Sequence, residues 1–347
     1  TGGVAGFGTD GIVTGTVYLE RNALLQFASG QIDSVSAGAS LWLNGAGARV
    51  ADAGASSTNS ALVGLSKVAG DLILQNGATV VTSGDLTIGG TGRLVLDAPF
   101  MGGAGGSSLT VGGVLSNTSS SSNGLVVGNV FQFASDTVTA AGLVNTGRLS
   151  IFGNTTAQST LNVTGGVAGF GSDGVLTGSV YLEHNALLQF ASGQITTVNA
   201  GASLWLNGAS ARVADAGAAS TSSALLGLTS VAGDLILQNG GTVATSGDLT
   251  VSGTGRLMLD VPFLGGVGRS SLTIGGVLTN NSADSNALAI GNAFLVSAAT
   301  VSATGLVNTG TIQLLGSATA QASLDLSGAA QNSGTIFVNA GGVLTNP

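Results

Sequence analysis

Residues 71–97 read DLILQNGATVVTSGDLTIGGTGRLVLD. Three short apolar runs, DLIL, DLTI and RLVL, are held apart by turn formers rich in Gly, Asn and Ser. Side chains alternate across a strand. In RLVLD, Leu94 and Leu96 therefore share one face, while Arg93, Val95 and Asp97 share the other. Leu86 and Ile88 share a face in the same way. One coil of this kind carries too few aliphatic residues to bury them alone. Stacked coils line the residues up into a continuous column, which is how a solenoid stabilises itself. Glycine and asparagine at the corners supply the positive-φ backbone that sharp bends require.

Comparable runs extend in both directions, among them TVYLE (16–20), LLQFA (24–28), SLWLNG (40–45), SLTVGG (108–113) and LVNTGRLSI (143–151). They recur roughly every 8 to 12 residues, with no helical periodicity between them. Asn145, Asn308 and Asn332 each open an NTG or NSG turn followed by alternating apolar residues. Two or three strands per coil predict coils of roughly 18 to 25 residues, and so about seven to nine coils in each 163-residue copy.

A longer period overlies this beat. TGGVAGFGTDG at residue 1 returns as TGGVAGFGSDG at residue 164, and the two copies align without a gap. About 113 of the 163 positions are identical, as recent tandem duplication would leave them. The expected organisation is one continuous solenoid: copy 1 over 1–163, copy 2 over 164–326, and the start of a different coil over 327–347. The fold class is all-β, a parallel β-helix (β-solenoid), with a right-handed coil favoured by the crossover rule.

Composition agrees. The chain has 59 Gly, 3 Pro and only 7% charged residues, so its polar surface must come from Ser, Thr, Asn and Gly, which suit strands and turns. Low charge with ample hydrophobicity argues against disorder. The net charge of −8, with single scattered arginines and one lysine, Lys67, argues against a nucleic-acid partner. No apolar run approaches the length of a membrane-spanning helix. Very short strands and 4% aromatics disfavour an outer-membrane barrel. The absence of cysteine excludes disulfides and thiolate metal sites. The chain starts and stops inside its pattern, which predicts a piece of something longer.

The segments GLVNTGRLSIFGNTTAQSTLNV (142–163) and GLVNTGTIQLLGSATAQASLDLSG (305–328) resemble the β-strand repeats of large bacterial surface proteins, the filamentous-haemagglutinin-like adhesins and autotransporter passengers. The resemblance implies a right-handed β-helix, export to the cell surface or medium, and a role in adhesion or spacing.

The duplication serves as an internal control for candidate sites, since a chemical site should persist in both copies. His184, the only histidine, answers to Arg21 and reads as a solvated residue. The paired acids are Asp10/Asp173, Glu20/Glu183, Asp52/Asp215, Asp71/Asp234, Asp85/Asp248 and Asp97/Asp260. They are spread about one per coil, where a β-helix lyase would cluster them on one groove. Turns and solubility are their expected roles. Arg93 with Asp97 and Arg256 with Asp260 are expected to give weak surface charge complementarity, at most about 1 kcal/mol. AGFGTDGIV (5–13) is one glycine short of a calcium-roll nonapeptide and occurs once per copy, making Asp10 and Asp173 weak calcium candidates. Aromatic residues form the sharpest signal. Tyr18 and Trp42, recurring as Tyr181 and Trp205, should point outward and could stack on a sugar or a partner protein. The alternative is that each is covered by its own coil.

The expected function is a non-catalytic rod without cofactor, part of an exported adhesin or filament at the bacterial cell surface. Expected partners are a host or matrix glycan or protein, or a second copy stacked end to end through open coil edges. A polysaccharide-active β-helix enzyme is the competing class.

Overall fold

The computed structural model describes residues 11–97, 102–166, 174–262 and 265–346. It is a parallel β-solenoid of about 13 turns. The chain divides into two compact units, Thr1–Gly169 with Asn185–Ala191, and Phe170–His184 with Ser192–Pro347.

Each coil lays one strand on each of three walls. In the first unit the longest wall carries Thr16–Glu20, Ser40–Asn44, Asp71–Gln75, Arg93–Leu96, Leu125–Val127 and Arg148–Phe152 in that order. Thr16 pairs with Ser40, Ser40 with Asp71, Asp71 with Arg93, Leu94 with Leu125, and Leu125 with Leu149, all in parallel ladders. Successive coils are therefore unequal. The steps from Ser40 to Asp71 and from Leu94 to Leu125 are long, that from Asp71 to Arg93 is short, and the first and last steps are intermediate. The second unit repeats the whole series at the duplicate positions: Ser179 pairs with Ser203, Ser203 with Asp234, Asp234 with Arg256, Leu257 with Leu288, and Leu288 with Ile312. It then adds one further coil, which sets Ile312 against Ile336.

These coils are longer, and fewer per copy, than strand spacing along the chain predicts. That spacing does not reveal how many strands close one coil. Three do, and some corners swell. Residues 53–66 form one such corner, with a 3-10 turn at Ser60–Leu62.

The core follows the alternation read at RLVLD. Val17, Leu41, Leu72, Leu94, Leu125 and Leu149 fall in register as one inward column. Leu41, Leu72, Leu94, Leu125 and Leu149 are fully buried. Leu19, Leu43, Leu74, Leu96, Val127 and Ile151 form a second column beside it. Burying each such side chain contributes about 1.5–3 kcal/mol. None could be dry without the coil above or below.

Corners are equally regular. The residue leaving the longest wall is left-handed in coil after coil: Arg21 (φ 59°), Gly45 (118°), Asn76 (54°), Asp97 (46°) and Gly128 (78°). The second unit repeats this with His184 (56°), Gly208 (117°), Asn239 (53°), Asp260 (48°) and Gly291 (77°). Ahead of the same wall, Gly70 lies so close to the neighbouring coil that a Cβ would sit 2.2 Å from the Ala39 carbonyl oxygen. Asparagines knit other corners together. Asn117 donates to Asn145 Oδ1 (2.7 Å), Asn280 to Asn308 (2.8 Å) and Asn308 to Asn332 (2.7 Å). Asn145, Asn308 and Asn332 are the same NTG and NSG asparagines singled out in the sequence. The amides of Asn117, Asn145, Asn280 and Asn308 are buried and find partners in this way, a requirement for buried polar groups, while Asn332 at the end of the series is exposed.

Candidate functional site

The aromatic pairs stand on the outer face of the longest wall. Tyr18 lies directly beside Trp42 in the ladder, and Tyr181 beside Trp205. Their rings meet edge to face, with centroids 4.8 and 4.7 Å apart at 72°. Trp42 Nε1 donates to Gln75 Oε1 (2.9 Å), Trp205 Nε1 to Gln238 Oε1 (3.1 Å), and Asn44 and Asn207 each donate to the neighbouring tyrosine hydroxyl (2.9 Å). The indoles are only half-buried, while Tyr18 is 46% exposed. Trp42 packs on Ile73, Val95 and Val126, the outward residues of the next coils, and Trp205 packs on their counterparts Ile236, Met258 and Ala289. The outer face of this wall is thus an apolar strip. Val95, read as an outward residue, is 0% exposed within it.

Among the described residues the paired acids are not brought together. Asp52 accepts from the Gly54 amide (2.8 Å), Asp85 from Val114 (2.7 Å), and Asp97 from Asn76 (2.8 Å). Asp215, Asp248 and Asp260 repeat the three contacts. Arg93 engages Asp71 rather than Asp97. It is a fork of 2.7 and 2.5 Å to the carboxylate one coil earlier, and Arg256 grips Asp234 alike. The Asp71 hydrogen bond is the main reason the Arg93 guanidinium lies above its usual pKa. The expected same-strand pairing fails because Asp97 has left the strand plane at a left-handed corner and is fully buried. His184 sits 3.3 Å from Glu183 as Arg21 sits 3.6 Å from Glu20, both at equivalent corners. Asp10 and Asp173 lie outside the described residues. Among the described residues no group of three metal-ligating side chains converges.

Two features escaped the sequence reading. The first is Asp136, fully buried against Asp97. The Oδ2 of each carboxyl is buried and has no hydrogen-bond partner. Burial, reinforced by the Asp97 charge, pushes the Asp136 carboxyl up to about 9. Sealed from solvent, the pair reaches no dissolved substrate in this conformation. Asp136 was missed because its counterpart is Ala299, so the duplication control discards it.

The second is a concavity on the outer face of the third wall, roofed by the swollen corner. Arg49, Ser57, Thr58, Val63, Thr79 and Val81 line about 330 Å³ in the first unit. Arg212, Ser220, Thr221, Leu226, Thr242 and Ala244 line about 280 Å³ at the equivalent place in the second. The Nε of Arg49 and of Arg212 is buried and has no hydrogen-bond partner. A signal was present: these arginines recur in ARVADAG with no acid within a strand's reach other than Asp52 and Asp215, which face the turn.

Comparison with known proteins adds no assignment: no family description, characterised relative or solved structure matches the chain.

Proposed function

We propose that this chain is a non-catalytic structural rod segment of an exported bacterial surface protein, an adhesin or filament, which supplies length and displays outer-wall side chains. One observation carries the reading: the same series of unequal coils serves in both units, with left-handed corners at matching positions. A scaffold whose coils touch only their neighbours gains length by duplication without new packing problems. Asp52, Asp71, Asp85 and Asp97 with their counterparts support the same view, since they hold backbone amides or arginines. Export and surface location rest on the resemblance to adhesin repeats.

Electron microscopy of the purified chain tests the proposal. Narrow, unbranched particles of uniform width are expected. Compact round particles, or depolymerisation of a uronic-acid polymer by the chain, would overturn it.

A self-associating filament subunit is a second reading. Open strand edges invite pairing. Sedimentation that shifts with concentration supports this version, and a strict monomer removes it.

A further inference from the structure

The duplicated concavity carries an unpaired cation. Arg93 and Arg256 are forked onto aspartates, whereas Arg49 and Arg212 hold no carboxylate among the described residues. An arginine Nε buried without a partner is costly unless something accepts from it. One instance could be an accident of packing. Two, at duplicate positions and in pockets lined by matching residues, mark a retained feature. Asn59, Ser60 and Ser223 hold the roof in place without touching the guanidinium. Asn59 Oδ1 accepts from Val50 N (2.7 Å), and Ser60 and Ser223 Oγ accept from Asp52 N and Asp215 N (2.9 Å each).

We infer that Arg49 and Arg212 each form the anchor of a binding site for a carboxylate-bearing sugar unit, two sites per chain. A guanidinium presents parallel N–H donors that match a carboxylate, and its two terminal nitrogens supply such a fork without the buried Nε. The rim supplies hydroxyls at Ser57, Thr58 and Thr79, repeated as Ser220, Thr221 and Thr242, which can both donate and accept toward sugar hydroxyls. The rest of the lining is short and aliphatic, Val63 and Val81 in one unit, Leu226 and Ala244 in the other, and suits the C–H face of a pyranose. No acidic residue lines either pocket to receive an ammonium group, so an amino acid fits poorly. The volumes sit at the lower end of ligand pockets, enough for one monosaccharide and too small for a folded chain. The inference goes beyond the scaffold reading and does not depend on it.

Calorimetry and saturation-transfer NMR on the full chain, with D-glucuronate as probe, test the inference. The expected result is two sites per chain, with glucose about tenfold weaker or worse because it lacks the charged anchor. Arg49→Gln and Arg212→Gln should each remove one site, and the double variant both. If a glutamine variant fails to fold, Arg49→Lys keeps charge and stem and should weaken one site about tenfold by losing the fork. Equal binding of glucose and glucuronate overturns the inference, as does glucuronate binding that survives the double substitution. No binding at millimolar concentration does so too. Inorganic sulfate competing as well as glucuronate would reduce the site to an oxyanion contact and overturn the sugar assignment.

Discussion

The same corner is built twice, once polar and once apolar. In the first unit Asp97, Gln132, Asp136 and Ser159 meet beneath the loop that starts at Gly128. Asn129 N donates to Gln132 Oε1 (2.9 Å), Gln132 Nε2 to Ser159 Oγ (2.8 Å), and Ser107 N to Asp136 Oδ1 (2.8 Å). In the second unit the matching positions are Asp260, Leu295, Ala299 and Ala322. Leu295 and Ala299 are buried, and the remaining aspartate turns its Oδ2 to Ser270 N at 3.0 Å. The asparagine that braces the loop is common to both. Asn129 donates to the carbonyls of Asp97 and Gly103, and Asn292 to those of Asp260 and Gly266. One backbone therefore carries two chemistries, and the polar one leaves Asp97 Oδ2, Asp136 Oδ2 and Ser107 Oγ buried without partners. A buried polar network is sound only when every member is satisfied, and an apolar filling of equal volume can replace it whole.

The largest effect is expected from mixing the two. Ala299→Asp would place a second carboxyl beside Asp260 without the Gln132 and Ser159 counterparts, and should cost about 3 kcal/mol at pH 8 by urea unfolding. A neutral result would mean the polar partners are dispensable and break the comparison.

Asp136→Asn should act in the opposite direction. The folded Asp136 keeps its proton up to about pH 9, against an ordinary value of 3.8 in the unfolded chain. Between those values the unfolded chain binds fewer protons, so the first unit loses stability as pH rises through the window and is most stable below it. The slope is at most about 1.4 kcal/mol per pH unit. The substitution should leave stability near pH 4 little changed and raise it by about 2 kcal/mol at pH 8. Hydrogen exchange at the amides around Ser107 localises the gain to this unit. A gain equal at both pH values would rule out a buried neutral carboxyl at Asp136.

Gln132→Leu should cost about 1–2 kcal/mol, since Ser159 Oγ and the Asn129 amide lose their partner. Adding Ser159→Ala, which completes the apolar version, should recover part of it. Additive losses in that cycle would show that the two residues do not form one network. The smallest effect belongs to His184→Arg, expected within about 0.5 kcal/mol because Arg21 already fills the equivalent left-handed corner. A larger change would give His184 a role its counterpart lacks.

Much of this could be read from residues 71–97. Alternation placed Leu86, Ile88, Leu94 and Leu96 inside, and Gly and Asn marked the corners. The duplication assigned both copies one architecture. The candidate sites were less legible. Trp42 and Trp205 do face outward, but their neighbours Ile73, Val95, Ile236 and Met258 turn that face into an apolar strip that a single strand does not announce. Asp136 was invisible to a control that trusts only what occurs twice. Arg93 was given the wrong aspartate because its true partner, Asp71, lies a full coil back, at a register set by the whole coil.

What the sequence alone determined was periodic and local: which side chains share a face, where the backbone must turn, and that two copies follow one plan. What only the tertiary structure decided was which residue lies above which. Short and long coils interleave, and their lengths depend on how far each corner swells before the chain rejoins its wall. Strand alternation carries no information about that distance. The Asp71 fork, the Asp97–Asp136 pair and the arginine pockets are all contacts between coils, so each waited on the register.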